Sequence, residues 1–240
     1  MAITATYIDH MGSDLSVVNA ARVSFGKKSH CEETRWVDMG DWCGDMPVVN
    51  DKDSKLIKYL ADHKHYSPFG HCFASFHIKA PIFVARQLVK HEYLRMNEIS
   101  RRYVDSEPEF YVPDVWRGRS KDKKQGSEGV VSCVSYNHSV YGKQEDNSLE
   151  FLDYTDIALN IYNGLLEDGV APEMARMVLP QSMYTEWYWS GSMDAFANMC
   201  NLRLKEDTQY ETRLVAQQID KVMGELYPVS WAALVGEETK

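Results

Sequence analysis

Residues 72–79, Cys-Phe-Ala-Ser-Phe-His-Ile-Lys, alternate apolar and polar side chains and run directly into Ala80-Pro81. A period of two is that of a strand with one buried face. Pro81 suits the first turn of a helix, because its missing N–H has no intrahelical partner there. Ile82, Phe83, Ala85, Leu88 and Val89 then follow at helical spacing, which predicts a helix over 81–94. A half-buried strand delivered into a helix needs a sheet with helices packed on it. The fold class is therefore mixed, α/β or α+β, and the periodicities alone do not fix the topology.

Other segments fit that class. Residues 3–9 read as a short strand, and Asp14 as the cap of a helix through Leu15, Val17, Val18, Ala21 and Val23. Leu56, Ile57, Tyr59 and Leu60 give a helix after Ser54, running to about His63. Helices are expected at 149–167, 172–178, 193–201 and 208–226, and a strand at 183–189. Residues 26–50 read as a long loop and 117–148 as a surface insertion rich in Gly, Ser, Lys, Asp and Asn. At 240 residues the whole chain, 1–240, reads as one domain carrying those two insertions.

With 26 Lys and Arg against 35 Asp and Glu, net charge −9, the chain lacks the footprint of a general nucleic-acid binder. No apolar run is long enough to span a bilayer and the N-terminus does not resemble a signal peptide, so a cytoplasmic protein without membrane association is expected. Five widely spaced cysteines (31, 43, 72, 133 and 200) read as free thiols.

Against the acidic background, residues 86–102 carry Arg86, Lys90, Arg95, Arg101 and Arg102 against Glu92 and Glu98. On a helix Arg86, Gln87, Lys90 and His91 form one polar stripe. This local reversal of charge suits an anion, most naturally a phosphate, which arginine holds through paired hydrogen bonds; a solvated basic helix face is the alternative. Arg176 sits in the apolar stretch Ala175–Pro180, where a charge needs an anionic partner, either protein or ligand. Arg203 closes an apolar helix and either serves a ligand or satisfies last-turn carbonyls. His63, His65, His71 and His77 include pairs two and six apart that could ligate zinc, but no third ligand has a recognisable helical spacing and Pro68 interrupts the run, so no metal is expected. There is no dinucleotide-fold glycine motif, no Walker loop, no G-x-S-x-G and no reactive cysteine context, so a protein nucleophile is not supported.

Residues 86–103 resemble the signature of the flavin-dependent thymidylate synthases, the thymidylate synthase complementing family. The family's R-H-R, seven residues, then Ser stands here as Lys90-His91-Glu92, seven residues, then Ser100. Asn97, Glu98, Arg102 and Tyr103 also match. D14-L-S-V-V-N-A-A-R-V-S-F25, H65-Y-S-P-F69, K79-A-P-I-F-V-A-R-Q87, A175-R-M-V-L-P180 and N201-L-R203 are similar to further family segments, in the family's order.

The resemblance implies an α/β (mixed α+β) fold with a central antiparallel or mixed sheet flanked by helices, in a homotetramer with active sites shared between subunits. It also implies methylation of dUMP to dTMP, with methylenetetrahydrofolate as carbon donor and NADPH-reduced FAD as hydride source. Carried over, Arg203 is the catalytic residue, set against the uracil to favour ionisation at N3. The dUMP set is Gln87, Lys90, Glu98, Ser100, Arg101, Arg102, Arg176 and Arg203. The FAD set is Ser67, Lys90, His91, Glu92, Glu98, Ser192, Asp194 and Asn198. Glu92 inverts the charge of the family's third motif residue, Arg95 replaces a small residue, and Ser192 and Asp194 stand where the family often has Asn and Arg. These departures leave two other readings open: altered pyrimidine chemistry such as dUMP hydroxymethylation, and a silent nucleotide-binding homologue.

Overall fold

The computed structural model describes residues 2–104, 106–121, 126–131, 136–137, 148–149 and 151–236, with 136–137, 148–149 and 151–153 described by backbone alone. The chain runs β1 (Thr4–Met11), α1 (Asp14–Arg22), β2 (Glu33–Asp38), β3 (Cys43–Val48), α2 (Asp51–Asp62), β4 (Phe73–Pro81) and α3 (Ile82–Leu88). It continues through β5 (Leu94–Glu98), β6 (Trp116–Arg119), β7 (Ser127–Val131), β8 (Tyr136–Asn137) and β9 (Ser148–Leu149). Then come α4 (Phe151–Glu167), α5 (Pro172–Ala175), β10 (Tyr184–Ser192), α6 (Met193–Arg203), α7 (Tyr210–Leu226) and α8 (Pro228–Val235).

The central sheet has the order β1-β4-β10-β5, every pair antiparallel. This is the antiparallel, helix-flanked sheet that the family resemblance implied. Alternation sets its two faces. Phe76, Ile78, Trp187 and Trp189 point to the core and are essentially fully buried. There Phe196 of α6 meets Phe76 and Trp189 edge-on, with ring centroids 5.3 and 5.5 Å apart. Val215, Ala216, Ile219 and Met223 of α7 complete the layer. Burying each of these side chains contributes roughly 1.5–3 kcal/mol. The other face carries Ser75, His77, Lys79, Glu186, Tyr188 and Ser190.

Four local expectations change. The helix over 81–94 stops at Leu88, and residues 94–98 form a strand paired with β10. Gly191 eases that pairing, since a Cβ there would lie 2.5 Å from Leu94 Cδ2 and 3.0 Å from the Tyr93 carbonyl oxygen, and the Leu94 side chain would have to shift. Asp14 does not cap α1; Ser13 precedes that helix, its N–H donating to Ser16 Oγ at 3.0 Å. The Asp14 carboxylate instead accepts from the N–H groups of Val229 and Ser230 (3.0 and 2.9 Å), capping α8. Residues 26–50 hold the β2–β3 hairpin rather than an unbroken loop. Within 117–148 the β6–β7 hairpin and two short strands are described, while 122–125, 132–135 and 138–147 lie outside the described residues. Cys31, Cys43, Cys72 and Cys200 are free thiols; Cys133 is outside the described residues.

Candidate active site

Three elements meet around the basic segment. β5 ends at Glu98, whose carboxylate accepts from the Thr185 hydroxyl of β10 at 2.6 Å. The chain then turns through Ser100, Arg101 and Arg102. The Ser100 hydroxyl accepts both the Arg102 backbone N–H and its Nε, each at 3.3 Å, which fixes the guanidinium over its own turn. Opposite lies the 3-10 turn Arg176–Val178 after α5. Together with Arg86 of α3 these residues line a cleft of about 800 Å³, in which Arg86, Arg101, Arg102 and Arg176 face only Glu98 and Glu173. Arg86, Arg101 and Arg102 of the expected basic segment are thus gathered with Arg176 into one concave site, while Lys90 and Arg95 do not line it. Arg176, expected in apolar surroundings, is exposed, with its Nε donating to the Glu173 carbonyl at 3.2 Å. Its chain neighbours are apolar, but the turn carries its side chain outward, so no buried protein partner is needed.

A second group forms where α6 ends beside α3. The stripe expected of one helix does not exist, because α3 ends at Leu88 and Lys90, His91 and Glu92 occupy the following loop. Tyr93 closes that loop with φ of +64°, a conformation that non-glycine residues seldom adopt and that aims the chain into β5. Within the loop His91 turns back, and its Nε2 accepts from Arg203 Nε at 3.0 Å. Arg203 Nη2 donates to the Gln87 carbonyl at 3.3 Å. Arg203 therefore satisfies the last turn of α3, not that of its own helix.

The electrostatics follow from these contacts. Burial and the facing Arg203 charge push the His91 imidazole down to about 4, so at neutral pH it is uncharged with its proton on Nδ1. Burial lowers the Arg203 guanidinium from its ordinary value. Among the described residues no carboxylate lies within ion-pair distance of Arg203, so both of its partners are neutral and its charge is uncompensated.

The remaining expected residues fall elsewhere. Lys90 and Glu92 are exposed on the loop after α3. Ser192 precedes α6, Asp194 lies in its first turn against the turn containing Gly70, and Asn198 is on its exposed side. At 1.5 Å per residue, Asp194 and Arg203 are roughly 14 Å apart along α6. Ser67 lines a separate cleft of about 760 Å³ between α1 and α2, with Arg22, Lys27, Lys52, Tyr59 and His65. There the buried Arg22 Nε has no hydrogen-bond partner, although Nη2 pairs with Asp53 at 2.5 Å. A single chain thus spreads the expected FAD residues: Ser192 and Asp194 at the start of α6, Asn198 in its middle, His91 beside its end, Glu98 in the arginine cleft and Ser67 in the cleft between α1 and α2. Among the described residues no three His, Cys, Asp or Glu side chains are grouped to hold a metal. His63 instead stacks on Tyr59 and bonds its carbonyl.

Sequence reasoning missed a set of polar residues behind Gln87. Its amide nitrogen donates to Gln209 Oε1, and its amide oxygen accepts from Thr212 Oγ1 at 3.2 Å. Gln209 Nε2 donates to Glu211 at 3.2 Å, and Glu211 pairs with Arg117 and accepts from Tyr111 at 3.1 Å. No local pattern announces these residues; the one signal is a carboxylate inside the apolar period of α7.

The family model for the thymidylate synthase complementing protein matches residues 6–229. A flavin-dependent thymidylate synthase of Thermus thermophilus is 39% identical over 227 residues, covering 94% of this chain and 73% of that protein. That of Kosmotoga olearia is 37% identical over 232 residues, covering 95% and 88%. Among solved structures, the UMP/dUMP methylase PolB from Streptomyces cacaoi bound with 5-Br dUMP superposes with a TM-score of 0.73 at 30% identity, covering 97% of this chain and 94% of that one.

Proposed function

The chain belongs to the thymidylate synthase complementing family, the flavin-dependent thymidylate synthases, and from that premise we propose how its residues divide the reductive methylation of dUMP to dTMP. The observation that carries the assignment is the uncompensated charge of Arg203. A carboxylate partner would neutralise the guanidinium. Neutral His91 and a carbonyl hold it in place and leave its charge for the substrate. Set against the uracil ring, Arg203 stabilises the negative charge that develops when N3 loses its proton and C5 becomes nucleophilic. That activation accounts for the absence of a reactive cysteine context.

Arg102, Arg176 and Arg86, with the backbone at Ser100 and Arg101, suit the dianionic phosphate of dUMP. Glu98, held by Thr185, supplies an acceptor for the sugar, while Gln87, its amide engaged by Gln209 and Thr212, serves the site through the backbone carbonyl it offers Arg203. Lys90, exposed on the loop beyond α3, is assigned to dUMP by the family resemblance alone.

The residues fit FAD. The Ser67 cleft gathers Arg22, Lys27 and Lys52 and presents a buried N–H of Arg22 without a partner, which suits a pyrophosphate. His91, with Nδ1–H free to donate, and Asn198 are assigned to the flavin; Glu92, Ser192 and Asp194, as acceptors, suit hydroxyl and N–H donors rather than phosphate. When bound, FAD reduced by NADPH supplies the hydride and methylenetetrahydrofolate the carbon.

The separation of the FAD residues supports a homotetramer with sites shared between subunits. So does α4, whose exposed Tyr154, Ile157 and Ile161 form an apolar stripe continued by Met174 and Met177. Met177, 73% exposed, also lines the arginine cleft, which brings the expected interface to the site. No helix among the described residues is long and apolar enough to cross a membrane.

The test is NADPH oxidation by flavin-loaded protein with methylenetetrahydrofolate. It should depend on dUMP and disappear in Arg203→Ala while flavin absorbance and the folded spectrum remain. Because the PolB structure is of a UMP/dUMP methylase, UMP is assayed in parallel. Near-normal turnover in Arg203→Ala would refute the activation role.

A further inference from the structure

We propose that the Arg117–Glu211 pair, acting through Gln209 and Gln87, positions the Arg203 guanidinium. The inference rests on the role given to Arg203 above and extends it to residues outside the basic segment, one of them in the β6–β7 hairpin.

Glu211 is 2% exposed. An isolated carboxylate there would be strongly disfavoured, so it must be paired. Arg117 reaches it from β6, while its guanidinium also lies 4.7 Å over the Tyr210 ring. Burial alone would push the Glu211 carboxyl up; the hydrogen bond and charge of Arg117, with the Tyr111 hydroxyl, outweigh it and hold the group below the ordinary carboxylate range. Glu211 is therefore ionised and can only accept hydrogen bonds.

That fact orients everything beyond it. Gln209 must turn its amide nitrogen toward Glu211, at 3.2 Å, which leaves its oxygen facing Gln87. Gln87 must answer with its own nitrogen, and its oxygen then accepts from Thr212. Each amide has one consistent orientation, set by the buried charge at the end of the chain. Gln87 lies in the last turn of α3, where carbonyls have no intrahelical partner. With both amide atoms held, its carbonyl is fixed in place, and Arg203 Nη2 donates to it. The same turn leads to His91, which accepts from Arg203 Nε. Two of the guanidinium's nitrogens are thus tied to a segment whose position is set about three side chains away.

The experiment compares wild-type protein with Gln209→Leu, which cuts the chain while leaving the Arg117–Glu211 pair intact, and with Arg117→Met and Arg117→Lys. Two readouts are taken: steady-state kcat and KM for dUMP in the flavin-loaded protein, and the titration of the His91 imidazole by nitrogen NMR. Arg203 from α6 is the charge facing His91, while Lys90 and Glu92 flank it on its own loop. If Arg203 is held as proposed, Gln209→Leu lowers kcat on the order of tenfold with little change in KM, the scale of one lost hydrogen bond. His91 titration then rises from about 4 toward the ordinary imidazole value as Arg203 moves away. Arg117→Met reproduces both effects and Arg117→Lys restores most of each. Variants that lose only thermal stability, with kcat per folded enzyme and His91 titration unchanged, overturn the proposal. If wild-type protein fails to act on dUMP, the functional assignment fails, and the His91 titration still decides the positioning.

Discussion

Removing Arg117 isolates a buried carboxylate, and the consequences follow from the structure. In Arg117→Met, Glu211 stays 2% exposed but loses the one cation paired with it among the described residues. Breaking a buried pair from one side costs about 3–5 kcal/mol. Tyr111 and Gln209 still donate to the carboxylate, which places the cost near 3 kcal/mol, or roughly 6–12 °C in melting temperature for a chain of this size. The pH dependence has a definite sign. In the wild type the folded pKa of Glu211 is depressed, so the pair's stability is present above the unfolded carboxylate value and is lost as pH falls through the folded one. Without Arg117, burial dominates and the folded pKa rises above the unfolded value. The penalty is then full at high pH and shrinks as acid protonates Glu211. Scanning calorimetry at pH about 8 and about 5 should show the deficit narrowing in acid. Arg117→Met/Glu211→Gln, which removes the charge altogether, should recover most of it at the higher pH. A deficit equal at both pH values, or a double variant no better than the single one, would refute a buried ionised Glu211.

Other expectations are simpler. Arg176→Ala should lower kcat/KM for dUMP on the order of 10–100-fold, the scale of a charge-assisted phosphate contact, and leave the slow reaction of deoxyuridine unchanged; an equal loss with both substrates would remove Arg176 from the phosphate site. Asp14→Ala leaves the Val229 and Ser230 N–H groups without their acceptor and should cost about 2–3 kcal/mol in a urea titration; a loss under half of that would mean α8 is capped otherwise. Arg95 lies opposite Ser190 on the exposed sheet face. If it replaces the charge lost at Glu92, Arg95→Ser raises the flavin dissociation constant about tenfold, and an unchanged constant refutes that compensation.

What the sequence discloses depends on how local the cause is. Strand β4 and the core helices show in their periods because each buries a long face: Phe76 and Ile78 on one, Val215 to Met223 on another. The helix expected over 81–94 fails at Leu88 because pairing of residues 94–98 with Trp187–Gly191 outweighs the helical preference of Leu94, Arg95 and Met96. The β2–β3 hairpin escapes notice because Val37 and Met46 are its buried hydrophobic residues, too few to set a period. Asp14 was legible as a cap, but the helix it caps begins more than 200 residues later. The arginine cleft was legible because most of its charges are neighbours in sequence. The Gln209–Glu211–Arg117 chain was not, since it is assembled from β6, α7 and α3.

The most direct test of the account is the mass of the nucleotide formed when purified protein is incubated with dUMP, methylenetetrahydrofolate, FAD and NADPH. The account predicts the gain of one methyl group, abolished in Arg203→Ala. A hydroxymethyl gain, or unchanged dUMP from flavin-loaded protein, would contradict it.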